Sequence, residues 1–218
     1  MSQLNPDDFI ITRKRKKYRF ALFANSSLCY EFDEWDKSWP ADVIEVGAGT
    51  GQFLVELASR HSDRRYVAID VKGDRLQKGA REAEARGIKN VLFVRARADQ
   101  LAELFQANSL SQIWLTFSDP FPKKRSSGRR LTHPGFLDTY RSLLRAGGRL
   151  SIKHDNLDFF HWTLEQLVAE GWQIDELSFD LHESQVDEDY KVLTPYEYRW
   201  LGEGSKINFV DCRAPQSS

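Results

Sequence analysis

One stretch of this chain places an acid, an aromatic ring and a group of cations directly after an apolar run. Residues 113–117 are apolar, which predicts a buried strand of a parallel sheet. Asp119 follows the predicted strand at its carboxyl end, where open α/β sheets place their ligands. Pro120 and Pro122 restrict the residues before them, so the directions of Asp119 and Phe121 are expected to be well determined.

The residues after Pro122 carry the charge that phosphate groups attract. Five cations lie within eight residues, interrupted by a flexible Ser-Ser-Gly: Lys123, Lys124, Arg125, Arg129 and Arg130. A second basic run occupies positions 13–19 and includes Tyr18, and basic patches with aromatic residues are typical of nucleic-acid binding. The stretch therefore suggests an active site that accepts a phosphate-rich polymer. The alternative is a solvated loop after a core strand.

A glycine-rich segment, Glu-Val-Gly-Ala-Gly-Thr-Gly at positions 45–51, lies between a predicted strand and a predicted helix. Glycines allow a tight turn there, and the helix N-terminus behind them favours a negative ligand group. A dinucleotide fingerprint would need a third glycine at Gln52. The observed spacing, with Glu45 before it, favours S-adenosylmethionine over a nicotinamide cofactor, and Asp70 is well placed for ribose hydroxyls. A tight turn without a ligand is the alternative.

Strand and helix patterns alternate from residue 42 onward. Strands are predicted at 43–46, 65–69, 91–94, 111–117, 149–153, 172–180 and 206–210, and helices at 52–59, 74–86, 99–106, 134–145, 156–170 and 195–201. Such alternation predicts βαβ units with right-handed crossovers. The expected fold is a doubly wound α/β domain at 36–213, preceded by a basic arm at 1–35 and followed by a tail at 214–218.

Composition narrows the class of protein further. The chain has 218 residues and a net charge of −1, which fits one globular domain without overall affinity for nucleic acid. Cys29 and Cys212 are too few for a disulfide framework and lack the spacing of a metal site. No apolar run reaches the roughly 20 residues of a membrane helix, and no signal peptide is recognised. A cytoplasmic protein without metal or membrane attachment is expected.

Four segments, in order, resemble the bacterial tRNA (guanine-N7-)-methyltransferases, and the resemblance spans about residues 42–211. Residues 44–53 are similar to the cofactor loop of that family. Residues 118–131 are similar to its D-P-W-P-K-K-R-H-x-K-R-R-L signature, residues 153–156 to a K-x-D-N stretch and residues 194–197 to a T-x-Y-E motif. The resemblance implies a Rossmann-like class I methyltransferase sheet, mostly parallel with an antiparallel final strand, S-adenosylmethionine as cofactor and tRNA as partner.

The resemblance also implies roles for individual positions. The cofactor would contact Glu45, Gly47, Gly49, Gly51, Asp70, Val71, Arg97, Ala98 and Asp119. The substrate would contact Lys123, Asp155, Thr194 and Glu197, and the RNA backbone Lys124, Arg125, Arg129 and Arg130. No feature indicates an obligatory protein partner.

Asp119 is predicted to be the catalytic residue, at the meeting point of methyl donor and guanine. Guanine N7 carries a lone pair and has no proton to lose, so methyl transfer mainly requires positioning. Asp119 is therefore expected to orient guanine by accepting its hydrogen bonds, rather than to act as an obligatory base. The base must leave its stack, and Phe121 is either a surface for it to pack on or a core aromatic.

The chain departs from the family pattern at several positions. Phe121 replaces the usual Trp, Ser126 and Gly128 replace a His and a Lys of the basic loop, and Arg97 stands where the family has Asp or Asn. Backbone groups of Arg97 and Ala98 would then recognise adenine. Three alternatives stay open: a nicotinamide oxidoreductase, an RNA-binding module that has lost catalysis, and amino methylation of adenine in nucleic acid.

Overall fold

The computed structural model describes residue 5, residues 14–201 and residues 204–215, without the side chains of 14–16, 199 and 200. Its helices are α1 (Lys14–Ala24), α2 (Gln52–Arg60), α3 (Gly73–Arg86), α4 (Leu101–Leu104), α5 (Pro134–Leu143), α6 (Leu157–Ala169) and α7 (Pro195–Leu201). Its strands are β1 (Cys29–Glu31), β2 (Val43–Val46), β3 (Tyr66–Asp70), β4 (Val91–Arg95), β5 (Leu110–Thr116), β6 (Leu144–His154), β7 (Gln173–Ser178) and β8 (Asn208–Arg213). Short 3-10 helices cover Phe32–Glu34, Ala98–Gln100, Lys124–Arg129 and Leu181–Glu183.

The described strands form a single sheet in the order β1-β4-β3-β2-β5-β6-β8-β7. Strands β1 to β6 pair in parallel, whereas β8 is antiparallel to both β6 and β7. The predicted doubly wound, mostly parallel sheet with an antiparallel final strand is confirmed. Strand order reverses between β2 and β5, and ligands of open α/β sheets bind in the crevice at such a switch point.

Helices cover both faces of the sheet, so the parallel strands are buried on both sides. Successive residues of β2 show this, because Val43 packs in one apolar cluster and Ile44 in the other. One cluster contains buried residues of α2 and α3, and the other contains buried residues of α4, α5 and α6. Because helices cover both faces, the loops that follow the parallel strands meet at the carboxyl edge of the sheet.

Part of the segment that the sequence predicts as a basic arm forms a helix and a strand that belong to the domain. Helix α1 packs against α3, the side chain of Phe23 is buried, and β1 pairs with β4 at the edge of the sheet. Most of residues 1–13, with Arg13 of the basic run, lie outside the described residues. The predicted strands and helices from residue 43 onward are present with shifted ends. The predicted helix at 99–106 is shorter, and β6 begins five residues before its predicted start.

Candidate active site

The glycine loop after β2 needs glycine for its backbone. Gly47, Gly49 and Gly51 have φ values of 78°, 59° and 70°, in the left-handed region that other residues rarely adopt. A Cβ at Gly51 would also lie 2.6 Å from Cε1 of Phe93. The loop thus packs tightly on the sheet at Gly51 and carries no side chains at Gly47 and Gly49, which line the crevice.

Asp70, the last residue of β3, supports that loop. Its Oδ2 accepts a hydrogen bond from the Gly49 N–H at 2.8 Å, and its Oδ1 accepts one from the Lys72 N–H at 2.8 Å. Burial raises the pKa of Asp70, although both backbone donors favour the ionised form. Asp70 and the exposed Val71 also line a cavity of about 440 Å³. The Asp70 carboxylate therefore supports the glycine loop and also borders a cavity of ligand size.

Glu45 in β2 is buried, and only one of its two carboxylate oxygens has a hydrogen-bond partner among the described residues. Thr116 Oγ1 donates to its Oε1 at 2.5 Å, whereas Oε2 has no hydrogen-bond partner among the described residues. Burial raises the pKa of Glu45 to about 8. A buried carboxylate oxygen without a partner is costly unless a ligand satisfies it. Glu45 lines a second cavity, of about 400 Å³, and would suit the ammonium group of a ligand there.

Arg97 and Ala98, at the end of β4, are placed differently from each other. The Arg97 N–H donates to Gln100 Oε1 at 2.9 Å, and its exposed guanidinium pairs with Asp99. Ala98 lines the 440 Å³ cavity, whereas Arg97 and Asp99 are not among its lining residues. Ala98 thus borders the cavity, whereas the Arg97 amide is occupied by Gln100.

The exit of β5 has an unusual backbone. Phe117 and Phe121 both have positive φ, 50° and 39°, on either side of the exposed Asp119. Non-glycine residues adopt this region at a cost of about 1–3 kcal/mol, and such strain concentrates at functional sites. Asp119 lines the 440 Å³ cavity and has no hydrogen-bond partner among the described residues. The turn thus presents a carboxylate to the cavity.

The basic loop divides into two groups of cations. Lys123, Lys124 and Arg125 are exposed, in keeping with the predicted phosphate contacts. The Arg129 guanidinium lies 4.3 Å from the centroid of the Phe121 ring. Arg130 instead turns inward and donates to the backbone of the β5 turn.

The exit of β6 lies beside the exit of β5. His154 Nε2 donates to the Ser118 carbonyl oxygen at 2.8 Å, while its Nδ1 accepts from the Asn156 N–H at 2.9 Å. Asp155 accepts from the Tyr196 hydroxyl at 2.9 Å. Asp155 Oδ1 also lies 3.3 Å from His154 Nδ1. Asp155 is half-buried beside the carboxylate-bearing turn.

Thr194 and Glu197 form a reciprocal capping box at the start of α7. Glu197 Oε2 accepts from the Thr194 N–H at 2.7 Å, and Thr194 Oγ1 accepts from the Glu197 N–H at 3.0 Å. Glu197 is fully buried, and its Oε1 lies 3.4 Å from Lys153 Nζ and 3.2 Å from His182 Nε2. Burial opposes ionisation of Glu197, but His182 and Lys153 still hold its pKa below the usual value.

The two cavities adjoin, because both are lined by Gly47, Gly49, Arg75 and Phe117. The 400 Å³ cavity is also lined by Thr194, Tyr196 and three charged groups from α1 and α3: Arg19, Asp74 and Lys78. Residues from the ends of four strands, β2 to β5, and from helices α1, α2, α3 and α7 therefore surround one continuous crevice at the switch point.

No helix within residues 14–201 and 204–215 is long and apolar enough to cross a membrane. The same part of the chain contains no group of three or more His, Cys, Asp or Glu side chains arranged to hold a metal ion.

Comparison with known proteins assigns the chain to a family. A family model described as a putative methyltransferase matches residues 40–210. A tRNA (guanine-N(7)-)-methyltransferase of Brevibacillus brevis is 40% identical over 77% of this chain and 78% of that protein. A protein of the same name from Clostridioides difficile is 35% identical over 75% and 76% of the two chains. This chain belongs to the tRNA (guanine-N(7)-)-methyltransferase family.

Solved structures support the fold of this family member. The 16S rRNA methyltransferase KamB superposes with a TM-score of 0.62 at 16% identity, covering 84% of this chain and 90% of that one. The 16S rRNA (adenine(1408)-N(1))-methyltransferase from Catenulisporales acidiphilia gives a TM-score of 0.59 at 17% identity, covering 100% and 97%. These likenesses concern the fold, whereas membership of the family rests on the sequence.

Most of the family positions named from the sequence meet at this crevice. Lining residues among them are Glu45, Gly47, Gly49, Asp70, Val71, Ala98, Asp119, Arg129 and Thr194. Predicted positions that are not among the lining residues are Gly51, Arg97, Lys123, Lys124, Arg125, Arg130, Asp155 and Glu197. Direct contact of Asp155 and Glu197 with substrate stays a prediction. Sequence reasoning missed Arg75 and Lys78, whose only signal was their position on α3, the helix that follows β3. Arg19 belongs to the basic run at 13–19, which the sequence assigns to nucleic-acid contact, and the structure places it at the cavity.

Proposed function

We propose that this chain transfers a methyl group from S-adenosylmethionine to N7 of a guanine in tRNA, within the variable loop. The proposal is carried by one observation: the strained turn of β5 presents Asp119 to the same crevice that the glycine loop and Glu45 line. Family membership supports tRNA as the substrate. The enzyme would act in the cytoplasm, where tRNA is found, without an obligatory protein partner.

The residues present fit S-adenosylmethionine. The buried Glu45 Oε2 without a partner suits the methionine ammonium group, and Asp70 suits the ribose hydroxyls. Val71 and Ala98 line the part of the crevice left for adenine. When bound, S-adenosylmethionine supplies a methyl group on a sulfonium, the electrophile that a ring nitrogen attacks.

The acidic side chains would orient the guanine. N7 needs no deprotonation, so Asp119 and Asp155 would accept hydrogen bonds from the N–H groups of the base. Their negative charge would also stabilise the positive charge that develops on the methylated ring. Phe121 would support the base with one face, since Arg129 covers the other at 4.3 Å.

A purified-component assay tests the proposal. The chain alone would be incubated with labelled S-adenosylmethionine and unmodified tRNA, and the product cleaved chemically at N7-methylguanine. Label at a variable-loop guanine is the expected result. Label on an adenine or on another guanine atom would contradict the activity, whereas absence of label would favour an RNA-binding protein without catalysis.

Phosphate contacts by the exposed cations of the basic loop would make binding depend on salt. If about five phosphates are contacted, the affinity for tRNA should fall more than tenfold between about 50 and about 300 mM salt. Fluorescence anisotropy with labelled tRNA measures this dependence. Lys124→Ala should lower the slope of log affinity against log salt by slightly less than one, whereas Lys89→Ala, an exposed lysine at the opposite edge, should not. A near-constant affinity for tRNA over this range would remove the assignment.

Binding of the cofactor is expected to depend on pH through Glu45. Because burial raises the pKa of Glu45 from 4.5 to about 8, its protonated form stabilises the free protein, and that stability is lost as pH rises through this window. A cationic ammonium group would bind the ionised form. Affinity for S-adenosylhomocysteine should therefore rise from about pH 6 to about pH 8, by up to about tenfold per pH unit.

Isothermal titration calorimetry in buffers of different ionisation enthalpy measures both the affinity and the proton released. Glu45→Gln should bind more weakly and lose the proton release that belongs to this carboxyl group. A wild-type affinity that stays constant with pH would show that Glu45 is already ionised without ligand.

A further inference from the structure

Arg130 stands apart from the other cations of its loop by its contacts. Its Nε donates to the Pro120 carbonyl oxygen at 2.9 Å, and its Nη2 donates to the Phe121 carbonyl oxygen at 3.2 Å. The guanidinium lies 4.3 Å from the centroid of the Trp162 ring and 5.9 Å from that of Phe159. The planar guanidinium fork donates to two carbonyl oxygens while an aromatic ring packs against its face. A lysine ammonium group cannot make this combination of contacts.

The two carbonyls belong to the turn that presents Asp119. Phe121 has a φ of 39°, which is held only when the surroundings fix it. Arg130 is half-buried, whereas Lys123, Lys124 and Arg125 are exposed in the same loop. Its Nε and Nη2 donors are thus directed to the backbone of the turn.

Arg130 also joins this turn to the exit of β6. Trp162 and Phe159 lie on α6, and Asn156 caps that helix by accepting from the Phe159 N–H at 2.8 Å. Asp155 immediately precedes this cap. The side chain of Arg130 therefore links the loop that carries Asp119 to the helix that begins after Asp155, and it supplements the hydrogen bond between His154 and Ser118.

We propose that Arg130 is a positioning residue for methyl transfer, which fixes the Asp119 turn against α6, and that it does not bind tRNA phosphate. This inference rests on the proposed function, and it differs from the role in RNA-backbone binding that the sequence motif predicts for Arg130. The phosphate-binding set of this loop is then Lys123, Lys124, Arg125 and Arg129.

Arg130→Lys is the decisive variant, because it keeps the charge and loses the fork. With purified full-length enzyme and unmodified tRNA, its kcat should fall by about 10²-fold, the effect of roughly 1 Å of misplacement at a reacting centre. Its tRNA affinity should stay within about threefold of the wild type, and the salt slope of binding should be unchanged. Arg125→Ala, in the same loop, should instead weaken tRNA binding and lower the salt slope.

Two results would overturn the inference. A wild-type kcat in Arg130→Lys would show that the fork is unnecessary, and a salt slope lowered in Arg130→Ala as much as in Arg125→Ala would show a phosphate contact. Binding of S-adenosylhomocysteine checks that each variant is folded. The site of methylation in the wild-type product tests the proposed function separately: if the methyl group is found on another atom, that function fails, and the kcat of Arg130→Lys for the observed reaction still decides the role of Arg130.

Discussion

Replacement of Asp119 by alanine is expected to lower kcat for tRNA methylation by about 10²-fold or more, because an unheld base samples many unproductive orientations. The carboxylate has no hydrogen-bond partner among the described residues and lines the crevice from a turn with strained neighbours. Removing it therefore disturbs few other contacts. Affinity for S-adenosylhomocysteine should fall by no more than about 10- to 100-fold, the effect of losing one charged hydrogen bond.

The asparagine variant distinguishes an orienting role from a basic one. Asp119→Asn keeps one acceptor oxygen, so it should retain more activity than Asp119→Ala if the group only orients guanine. Glu165→Ala removes an exposed carboxylate from the middle of α6 and serves as the control. Single-turnover methylation measures the chemical step. Full activity in Asp119→Ala would exclude a central role, and equal inactivity of both Asp119 variants would show that negative charge is required.

Periodicity was sufficient to predict the strands that build the crevice. Strands β2 to β5 are short apolar runs bounded by glycine, proline or acidic residues, and their carboxyl ends must meet at one edge in a parallel sheet. The positions of Glu45, Asp70 and Asp119 therefore followed from local patterns. The edge strand β1 did not, because its three residues gain their structure only from pairing with β4, a contact between distant parts of the chain.

The sequence at Thr194–Glu197 also contains the pattern of a helix start. Thr194 followed by Pro195 and by Glu197 at the third helical position is typical of a helix start, and the structure shows this arrangement. The interpretation of both residues as substrate contacts came from the family motif alone. The different role of Arg130 could not be read from its loop, since five neighbouring cations look alike until Trp162 and two carbonyls are placed beside one of them.

Lys153→Met is expected to lower the free energy of unfolding by about 3–5 kcal/mol, because it leaves Glu197 buried without its lysine partner. Lys153 has no exposed side-chain surface; its Nζ donates to the Val192 carbonyl oxygen at 2.7 Å and lies 3.4 Å from Glu197 Oε1. Burial lowers the pKa of Lys153 to about 8, so the folded state opposes its charge. The free-energy cost of burying the charged lysine therefore falls as pH rises from about 8 toward the unfolded pKa of 10.5, and the folded state gains stability over that range.

The same pair connects stability to the active site, because Glu197 fixes the start of α7 and so places Tyr196 against Phe117, at 4.8 Å between ring centroids. For a domain of this size the midpoint of thermal unfolding in Lys153→Met should fall by roughly 10 °C, as calorimetry would measure, whereas Lys89→Met on the surface should leave it unchanged.

Glu197→Gln keeps the acceptor for the Thr194 N–H and removes the charge. In a double-mutant cycle, Lys153→Met with Glu197→Gln should therefore be less destabilised than the sum of the single changes. Simple additivity would show that the two buried groups do not stabilise each other, and α7 would then depend on the capping box and His182 alone.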